Sequence, residues 1–369
     1  MTLELKATIL QRARELGFLA GIAPADALPS RAAFETFLAR GYHADMAWLT
    51  RRPGERFDPR ALLAGAKSVI CLAAPYGPGA CSMGVSPMCV AGVSPVEVSA
   101  AGGMGRSAAE TATAEGGCAT NACAEGGCAT NDIAFALYAR GRDYHRLLKK
   151  RCGQLLDAIR QLAPAMAAKI CVDTAAINER SLAARAGLGW IGRNGCLITR
   201  PYGSFIFLAE IVTDLDLPCD QPARSRCGRC RRCLDACPTG ALQPDGLIDC
   251  RRCISYLTIE HRGKIDLVSQ PSEAVSAQAG EPVPPNALAK RIGGRIFGCD
   301  ACQLACPWNR RHARGWEEFA TPRHAALPSP QEILRWRPED WDAFTRGSAM
   351  RRATYEMFLR NAAIAADSL

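Results

Sequence analysis

Near the N-terminus Leu5, Ile9, Ala13 and Leu16 recur at helical spacing between Lys6, Arg12, Arg14 and Glu15, which predicts an amphipathic helix. A short apolar run after a polar turn, Ala66-Lys67-Ser68-Val69-Ile70-Cys71-Leu72-Ala73-Ala74, predicts a buried strand. From about residue 133 through 147–159 the pattern is helical again. Strands are expected next at Ile170-Cys171-Val172 and over 205–212. Helices alternating with short apolar strands predict a layered α/β (α+β) architecture. The tail from about 315 to 369 reads as helices, with Trp336, Trp341, Phe344, Tyr355 and Phe358 as packing residues.

Two stretches break this patterning. Between 82 and 131, Gly84-Val85-Ser86-Pro87 recurs as Gly92-Val93-Ser94-Pro95, and the eight residues from Ala114 to Asn121 recur from Ala124 to Asn131. Small residues dominate there and aromatics are absent, so little apolar area offsets chain entropy. A flexible insertion is expected, although Cys118, Cys123 and Cys128 can also be read as metal ligands. A loop rich in Ser, Ala, Gly and Pro follows at 266–286. The expected organisation is a catalytic domain over 1–220, a cysteine-rich domain over 221–310 and a helical region over 311–369.

Composition narrows the class. The chain has 369 residues, enough for two or three domains, and its 48% hydrophobic and 22% charged residues exclude global disorder. A net charge of +9 is a mild bias toward anionic partners. No apolar run approaches the roughly 20 residues that span a bilayer. The charged-then-apolar start of a signal peptide is missing too, so a cytoplasmic protein is expected. In a reducing compartment the 19 cysteines point to metal or redox chemistry before disulfides.

Their spacing is specific. Cys227-x2-Cys230-x2-Cys233-x3-Cys237-Pro238 is the bacterial ferredoxin pattern, and Cys299-x2-Cys302-x3-Cys306-Pro307 is a second half lacking its first cysteine. Paired CxxC units could instead make a four-thiolate zinc site. The Cys-Pro ending, present twice, favours two [4Fe–4S] clusters. In that pattern the fourth cysteine crosses to the other cluster. One cluster then takes Cys227, Cys230, Cys233 and Cys306. The other takes Cys237, Cys299, Cys302 and one of Cys250 or Cys253. A plain ferredoxin needs only about 60 residues, so the rest of the chain must bind something that consumes electrons.

Further segments carry a resemblance. These are Ala139-Arg140-Gly141-Arg142-Asp143-Tyr144-His145, Val172-Asp173-Thr174 with Glu179-Arg180, and Ala186-Gly187-Leu188-Gly189-Trp190-Ile191-Gly192-Arg193-Asn194, then Gly203-Ser204. The cluster segments are Arg252-Cys253-Ile254-Ser255-Tyr256-Leu257-Thr258 and the run from Gly298 to Asn309, and Gly347-Ser348-Ala349-Met350-Arg351-Arg352 comes last. In this order, over about 300 residues outside the two insertions, the chain resembles the epoxyqueuosine reductases, cobalamin-dependent iron–sulfur enzymes that complete queuosine synthesis in tRNA. The resemblance implies a cobalamin-binding α/β domain, a ferredoxin-like domain and C-terminal helices of HEAT type. It selects Cys253 over Cys250, because the family has a lone cysteine before Ile-Ser-Tyr/Phe-Leu.

It also implies that Asp173 is the proton donor. Opening an epoxide leaves an alkoxide, which a carboxylic acid can protonate if its pKa is raised toward neutrality. An aspartate just after a strand can equally be a helix N-cap. Cobalamin rests on the resemblance alone. No Asp-x-His-x-x-Gly motif is present, so cobalt without a histidine ligand is expected, with His145 buttressing the pocket. Arg56, Tyr138, Arg193, Asn194 and Gln303 are further pocket candidates. The glycines at 187, 189 and 192 could let backbone approach a flat macrocycle, or could serve tight turns.

For RNA, residues 222–265 carry nine Lys/Arg against four Asp/Glu, including Arg224, Arg226, Arg229, Arg231 and Arg232. Such a face can track phosphates, or can be an ordinary solvated surface. Arg351, Arg352 and Arg360 are candidates in the tail. The chain stops soon after Arg360-Asn361, where longer members continue, which implies a shortened helical tail. The expected activity is reductive deoxygenation of epoxyqueuosine in tRNA by a monomer supplied by an external low-potential electron donor. The rivals are another corrinoid iron–sulfur reductase, such as a dehalogenase, and a non-catalytic electron carrier.

Overall fold

The computed structural model describes residues 2–79, 134–265, 285–310 and 313–368. The expectations for 82–131 lie outside the described residues, as does nearly all of 266–286, whose last two residues open a helix, Pro285–Ile292.

Helix α1 (Thr2–Glu15) buries Ile9 and Ala13, as the periodicity predicted. It leads into strand β1 (Leu19–Pro24), helix α2 (Arg31–Ala39) and strand β2 (Ser68–Pro75). After 134 come helices α3 (Leu137–Arg140) and α4 (Tyr144–Leu162) and strand β3 (Ala168–Cys171). Helix α5 (Glu179–Arg185), a small hairpin of β4 (Trp190–Ile191) and β5 (Leu197–Ile198), and strand β6 (Ile206–Thr213) complete the region. The four longer strands form one sheet in the order β1-β2-β6-β3, every pair antiparallel. The mixed α/β expectation therefore holds in its α+β form.

Every residue of β2 is buried because both faces of the sheet are covered. Successive side chains point to opposite faces of a strand. Ile70, Leu72 and Ala74 meet Ile9, Leu148, Leu155 and Ile159 of α1 and α4 on one side. Val69, Cys71 and Ala73 meet Phe57, Leu182 and Ala183 on the other. Double coverage is why β2 reads as a continuous apolar run and not as an alternation. Each fully buried Ile or Leu here contributes roughly 1.5–3 kcal/mol.

The long helix expected from about 133 is interrupted. Phe135 bridges Phe297 in parallel. Gly141 lies so close to the Phe319 backbone that a Cβ would sit 2.5 Å from its carbonyl oxygen. Asp143 then caps α4 by accepting the His145 N–H at 3.0 Å. The restart at residue 144 places His145 in the first turn of α4.

The tail is helical, and its aromatic residues pack as predicted. Phe358 is fully buried with Phe135, Phe297 and Met350, and Trp336, Trp341 and Phe344 pack against them. The Tyr355 hydroxyl donates to the Trp336 carbonyl at 2.6 Å. Buried Asn361 donates to the carbonyls of Thr258 and Ile296, stitching the tail to the cysteine-rich region. Among the described residues no helix is long and apolar enough to cross a membrane.

Candidate active site

A cavity of about 260 Å³ lies against β6. Tyr76, Tyr138, Tyr144 and Phe207 give it aromatic walls, and Asp173, Glu179, Arg180, Cys196, Ser204 and Gln303 give it polar ones. Burial holds the Tyr76, Tyr138 and Tyr144 phenols well above their ordinary range, so they remain neutral hydrogen-bonding groups. Ser204 donates to Gln303 Oε1 at 2.9 Å, and Asn309 braces both. Gln303 directly follows Cys302, so one wall of the cavity is built from the second cysteine segment.

Asp173 stands two residues beyond β3 with φ +56°, a left-handed conformation that aspartate tolerates better than most residues. Its N–H donates to Glu179 Oε1 at 2.6 Å. It is not a helix cap, since Asn178 fills that role for α5 by accepting the Ser181 N–H. The Asp173 carboxylate meets His145 Nε2 at 3.0 Å, while Asp143 holds His145 Nδ1 at 2.8 Å. An imidazole between two carboxylates is held protonated. Asp143 first and Asp173 second raise His145 to about 9.

That arrangement corrects the expectation of an Asp173 carboxyl raised toward neutrality. The His145 hydrogen bond outweighs burial and keeps Asp173 below the ordinary carboxylate range. The acidic proton of the pair rests on the imidazole, and of the two carboxylates beside it Asp173 is the one that lines the cavity. Glu179 behaves oppositely. Burial pushes it to about 7, although the Asp173 N–H and the Arg180 charge oppose the rise.

Of the other pocket candidates, Tyr138 and Gln303 line the cavity, but Arg56, Arg193 and Asn194 do not. Arg56 lies over the Trp48 ring and donates to its carbonyl. Arg193 donates to the Gly228 carbonyl, bracing the first cysteine loop. Asn194 is buried in the β4–β5 turn, where it accepts the Cys196 N–H. The glycines serve close packing of the chain on itself. A Cβ on Gly189 would strike the Ile198 carbonyl, and Gly187 adopts φ +77° against the Gln221 carbonyl. Tyr76, Tyr144, Glu179 and Ser204 join the site without having been singled out for it.

Among the described residues no three His, Cys, Asp or Glu side chains converge closely enough to grip one metal ion. The cysteines nevertheless sort into two neighbourhoods. Burial raises the Cys306 thiol, and Cys227 and Cys230 add to it; Cys233 is raised by burial, then by Cys306 and Cys227. Burial pushes Cys253 to about 11, with Cys299 and Cys237 adding to it. Burial likewise raises Cys299, with Cys237 adding, and Cys302, with Cys299 and Cys253 adding. Cys196, outside both expected sets, also raises Cys302, ahead of Cys299 and Cys253. Cys250 neighbours Cys253 and is pushed to about 12, chiefly by burial.

The five arginines of the first cysteine loop, Arg224, Arg226, Arg229, Arg231 and Arg232, are exposed. Each of the tail arginines is already bonded within the chain, Arg351 and Arg352 in exposed ion pairs and Arg360 against backbone. Arg360 donates to the carbonyls of Leu257, His261 and Gly263. Arg352 grips Glu260 through two 2.8 Å bonds, and Arg351 pairs with Asp342.

A double-cluster cysteine domain beside a protonated cavity defines an iron–sulfur oxidoreductase. The family model for a 4Fe-4S double cluster binding domain matches residues 226–309, and the model described as Epoxyqueuosine reductase QueG, DUF1730 matches residues 120–174. The epoxyqueuosine reductase of Salmonella typhimurium is 36% identical over 364 residues, covering 98% of this chain and 79% of that one. The Escherichia coli K12 enzyme is 35% identical over 365 residues, covering 98% and 80%. The solved epoxyqueuosine reductase of Streptococcus thermophilus superposes with a TM-score of 0.73 at 26% identity, covering 98% of this chain and 81% of that one. An epoxyqueuosine reductase solved with an epoxyqueuosine-modified tRNA stem loop shares the fold, with a TM-score of 0.74 at 24% identity and coverage of 99% and 81%. The chain belongs to the epoxyqueuosine reductase family.

Proposed function

We propose that this chain removes the epoxide oxygen of epoxyqueuosine in the anticodon loop of tRNA, giving queuosine. The reaction takes two electrons and two protons, breaks both C–O bonds of the epoxide, forms the ring double bond and releases water. The observation that carries the reading is the cavity itself. The Asp173–His145 proton source faces it on one side, and Gln303, next to cluster cysteine Cys302, faces it on another.

Two [4Fe–4S] clusters are read as held by Cys227, Cys230, Cys233 and Cys306, and by Cys237, Cys253, Cys299 and Cys302. The two thiol neighbourhoods support that division. An external low-potential one-electron donor reduces them. Cobalamin fits the remaining donor set. Ser204 and Gln303 add polar contacts, and the tyrosines add a flat apolar wall. When bound there, cobalamin would supply the low-valent, electron-rich centre that reductive C–O cleavage needs.

The chain's own residues bind, orient and protonate. His145 supplies the proton at Nε2, and Asp173 carries it to the departing oxygen. The exposed arginines around 224–232 engage phosphates, leaving an unpaired anticodon base to enter the cavity. The chain is read as a cytoplasmic monomer with a cobalamin-binding domain over 1–220, a ferredoxin-like domain over 221–310 and HEAT-like helices over 311–369. The test is anaerobic turnover of epoxyqueuosine-containing tRNA by the cluster-loaded protein, with and without cobalamin, read by nucleoside mass spectrometry. Conversion that depends on cobalamin is expected. No conversion with clusters and cobalamin both bound would redirect the reading to another corrinoid substrate, and intact clusters without cobalamin uptake to an electron carrier.

A further inference from the structure

Gln303, Ser204 and Asn309 meet where the second cysteine segment touches the loop before β6. Asn309 is 1% exposed and Ser204 4%, so neither can turn to water for a partner. The approach is so close that a Cβ on residue 203 would sit 1.8 Å from Asn309 Oδ1, and Gly203 adopts φ +58°. Only glycine meets both demands.

Backbone groups fix the polarity of this cluster. The Ser204 N–H, which can only donate, goes to Asn309 Oδ1 at 2.7 Å. The Gln303 carbonyl, which can only accept, takes a hydrogen of Asn309 Nδ2 at 2.8 Å. The Asn309 amide therefore has one orientation. Its second Nδ2 hydrogen goes to Ser204 Oγ at 2.8 Å. Ser204 keeps its own hydrogen to give, and gives it to Gln303 Oε1 at 2.9 Å. The Tyr76 hydroxyl points at the same Oε1 from 3.5 Å. With Oε1 receiving hydrogens, Nε2 is the end of Gln303 left to donate, and it carries two hydrogens. One points to Asp300 Oδ1 at 3.4 Å, and no acceptor among the described residues takes the other. Gln303 lines the cavity.

We infer that Asn309 is a positioning residue which, through Ser204, locks the Gln303 amide as a hydrogen-bond donor to an acceptor oxygen on the molecule that fills the cavity. The inference rests on the reading proposed above and adds what one wall of the cavity selects. Two oxygens of that chemistry are a carboxamide carbonyl at the edge of a corrinoid and an oxygen of the target nucleoside. A group that only donates meets an N–H there and is disfavoured. Flipping Gln303 to suit it would strand the Ser204 hydrogen and set Gln303 Oε1 against Asp300 Oδ1.

Gln303→Met removes the donor at nearly unchanged length. Ser204→Ala breaks the chain one step back, and Asn309→Asp draws the Ser204 hydroxyl toward itself. Each is made in the full, cluster-loaded chain, alone and together with Gln303→Met. Cobalamin affinity is read by visible absorption titration without substrate, and KM and kcat on epoxyqueuosine-containing tRNA are read separately. Each single variant should lose roughly 10-fold in one of these quantities, with iron content unchanged. A loss of cobalamin affinity assigns the oxygen to the corrinoid. A higher KM or lower kcat with that affinity intact assigns it to the nucleoside. Because Ser204 and Asn309 act through Gln303, replacing either should add nothing once Gln303 is Met. If Asn309→Asp loses iron, Ser204→Ala decides. Native values in Gln303→Met overturn the inference, as do Ser204→Ala losses that add in full to those of Gln303→Met. A native chain that binds cobalamin but converts no epoxyqueuosine overturns the deoxygenation alone, and one that does neither overturns both.

Discussion

Replacing Asp173 with Asn removes one of the two carboxylates that flank His145 while leaving the loop in place, because Asn tolerates the left-handed backbone of residue 173 as well as Asp does. Asp143 and Asp173 together raise the imidazole to about 9 against the opposing effect of burial, and Asp143 is the larger contributor. Without Asp173 the imidazole should titrate roughly 1 pH unit lower, worth about 1.4 kcal/mol. Asp173 is 53% exposed, and screening by solvent reduces its share of folding stability to about 1 kcal/mol or less. The sign follows from linkage. A raised folded pKa for His145 stabilises the fold fully below the ordinary value of 6.5, and that stability disappears as pH rises through about 9. The Asp173→Asn variant should therefore melt earlier than the native chain at pH 6 and at the same temperature near pH 10. Turnover should fall about 100- to 10,000-fold, the range for a lost general acid. NMR titration of the His145 ring, assigned with a His145→Gln variant, reads the first effect and nucleoside analysis the second. A His145 ring that still titrates near 9, or turnover that survives, refutes the assignment of Asp173 as the partner that conveys the proton.

Cys253→Ser should lower bound iron from about eight atoms per chain to about four, whereas Cys250→Ser should leave it unchanged; iron analysis after anaerobic reconstitution distinguishes them. Arg360→Ala abandons three backbone carbonyls and should cost about 2 kcal/mol of stability without changing tRNA affinity, as read by thermal melts and filter binding. Exchanging Arg229, Arg231 and Arg232 for Ala should do the reverse, weakening tRNA binding and flattening its salt dependence. Glu179 is raised from 4.5 to about 7, so the stability it contributes is complete below pH 4.5 and lost as pH rises through 7; Glu179→Gln should flatten that slope in denaturant titrations.

What was legible in the sequence was local. Strand β2 and strand β6 announced themselves as apolar runs because both faces of the sheet are covered, and α1 by its spacing. The cysteine segments were readable for the same reason, since ferredoxin-type ligands follow one another at short intervals. The helix break at Gly141 was not readable, because it depends on close contact with Phe319 far along the chain. The cavity was only half visible. Asp173, Glu179, Ser204 and Gln303 lie in segments that could be recognised, but their meeting with Tyr76 in one cavity emerges only when β2, α5 and the loop before β6 are brought together. Arg360 left no signal, since an arginine bound to backbone carbonyls looks like any other surface arginine in sequence.

The most direct test of the central claim is the mass of the nucleoside recovered from epoxyqueuosine-containing tRNA after anaerobic incubation with the reduced, cluster-loaded chain. The native protein with cobalamin should return queuosine, one oxygen lighter than the substrate. The same protein without cobalamin, and Asp173→Asn with it, should return mainly unchanged substrate. Full conversion by the Asp173→Asn variant, or unchanged substrate from a native chain holding both clusters and cobalamin, would contradict the account.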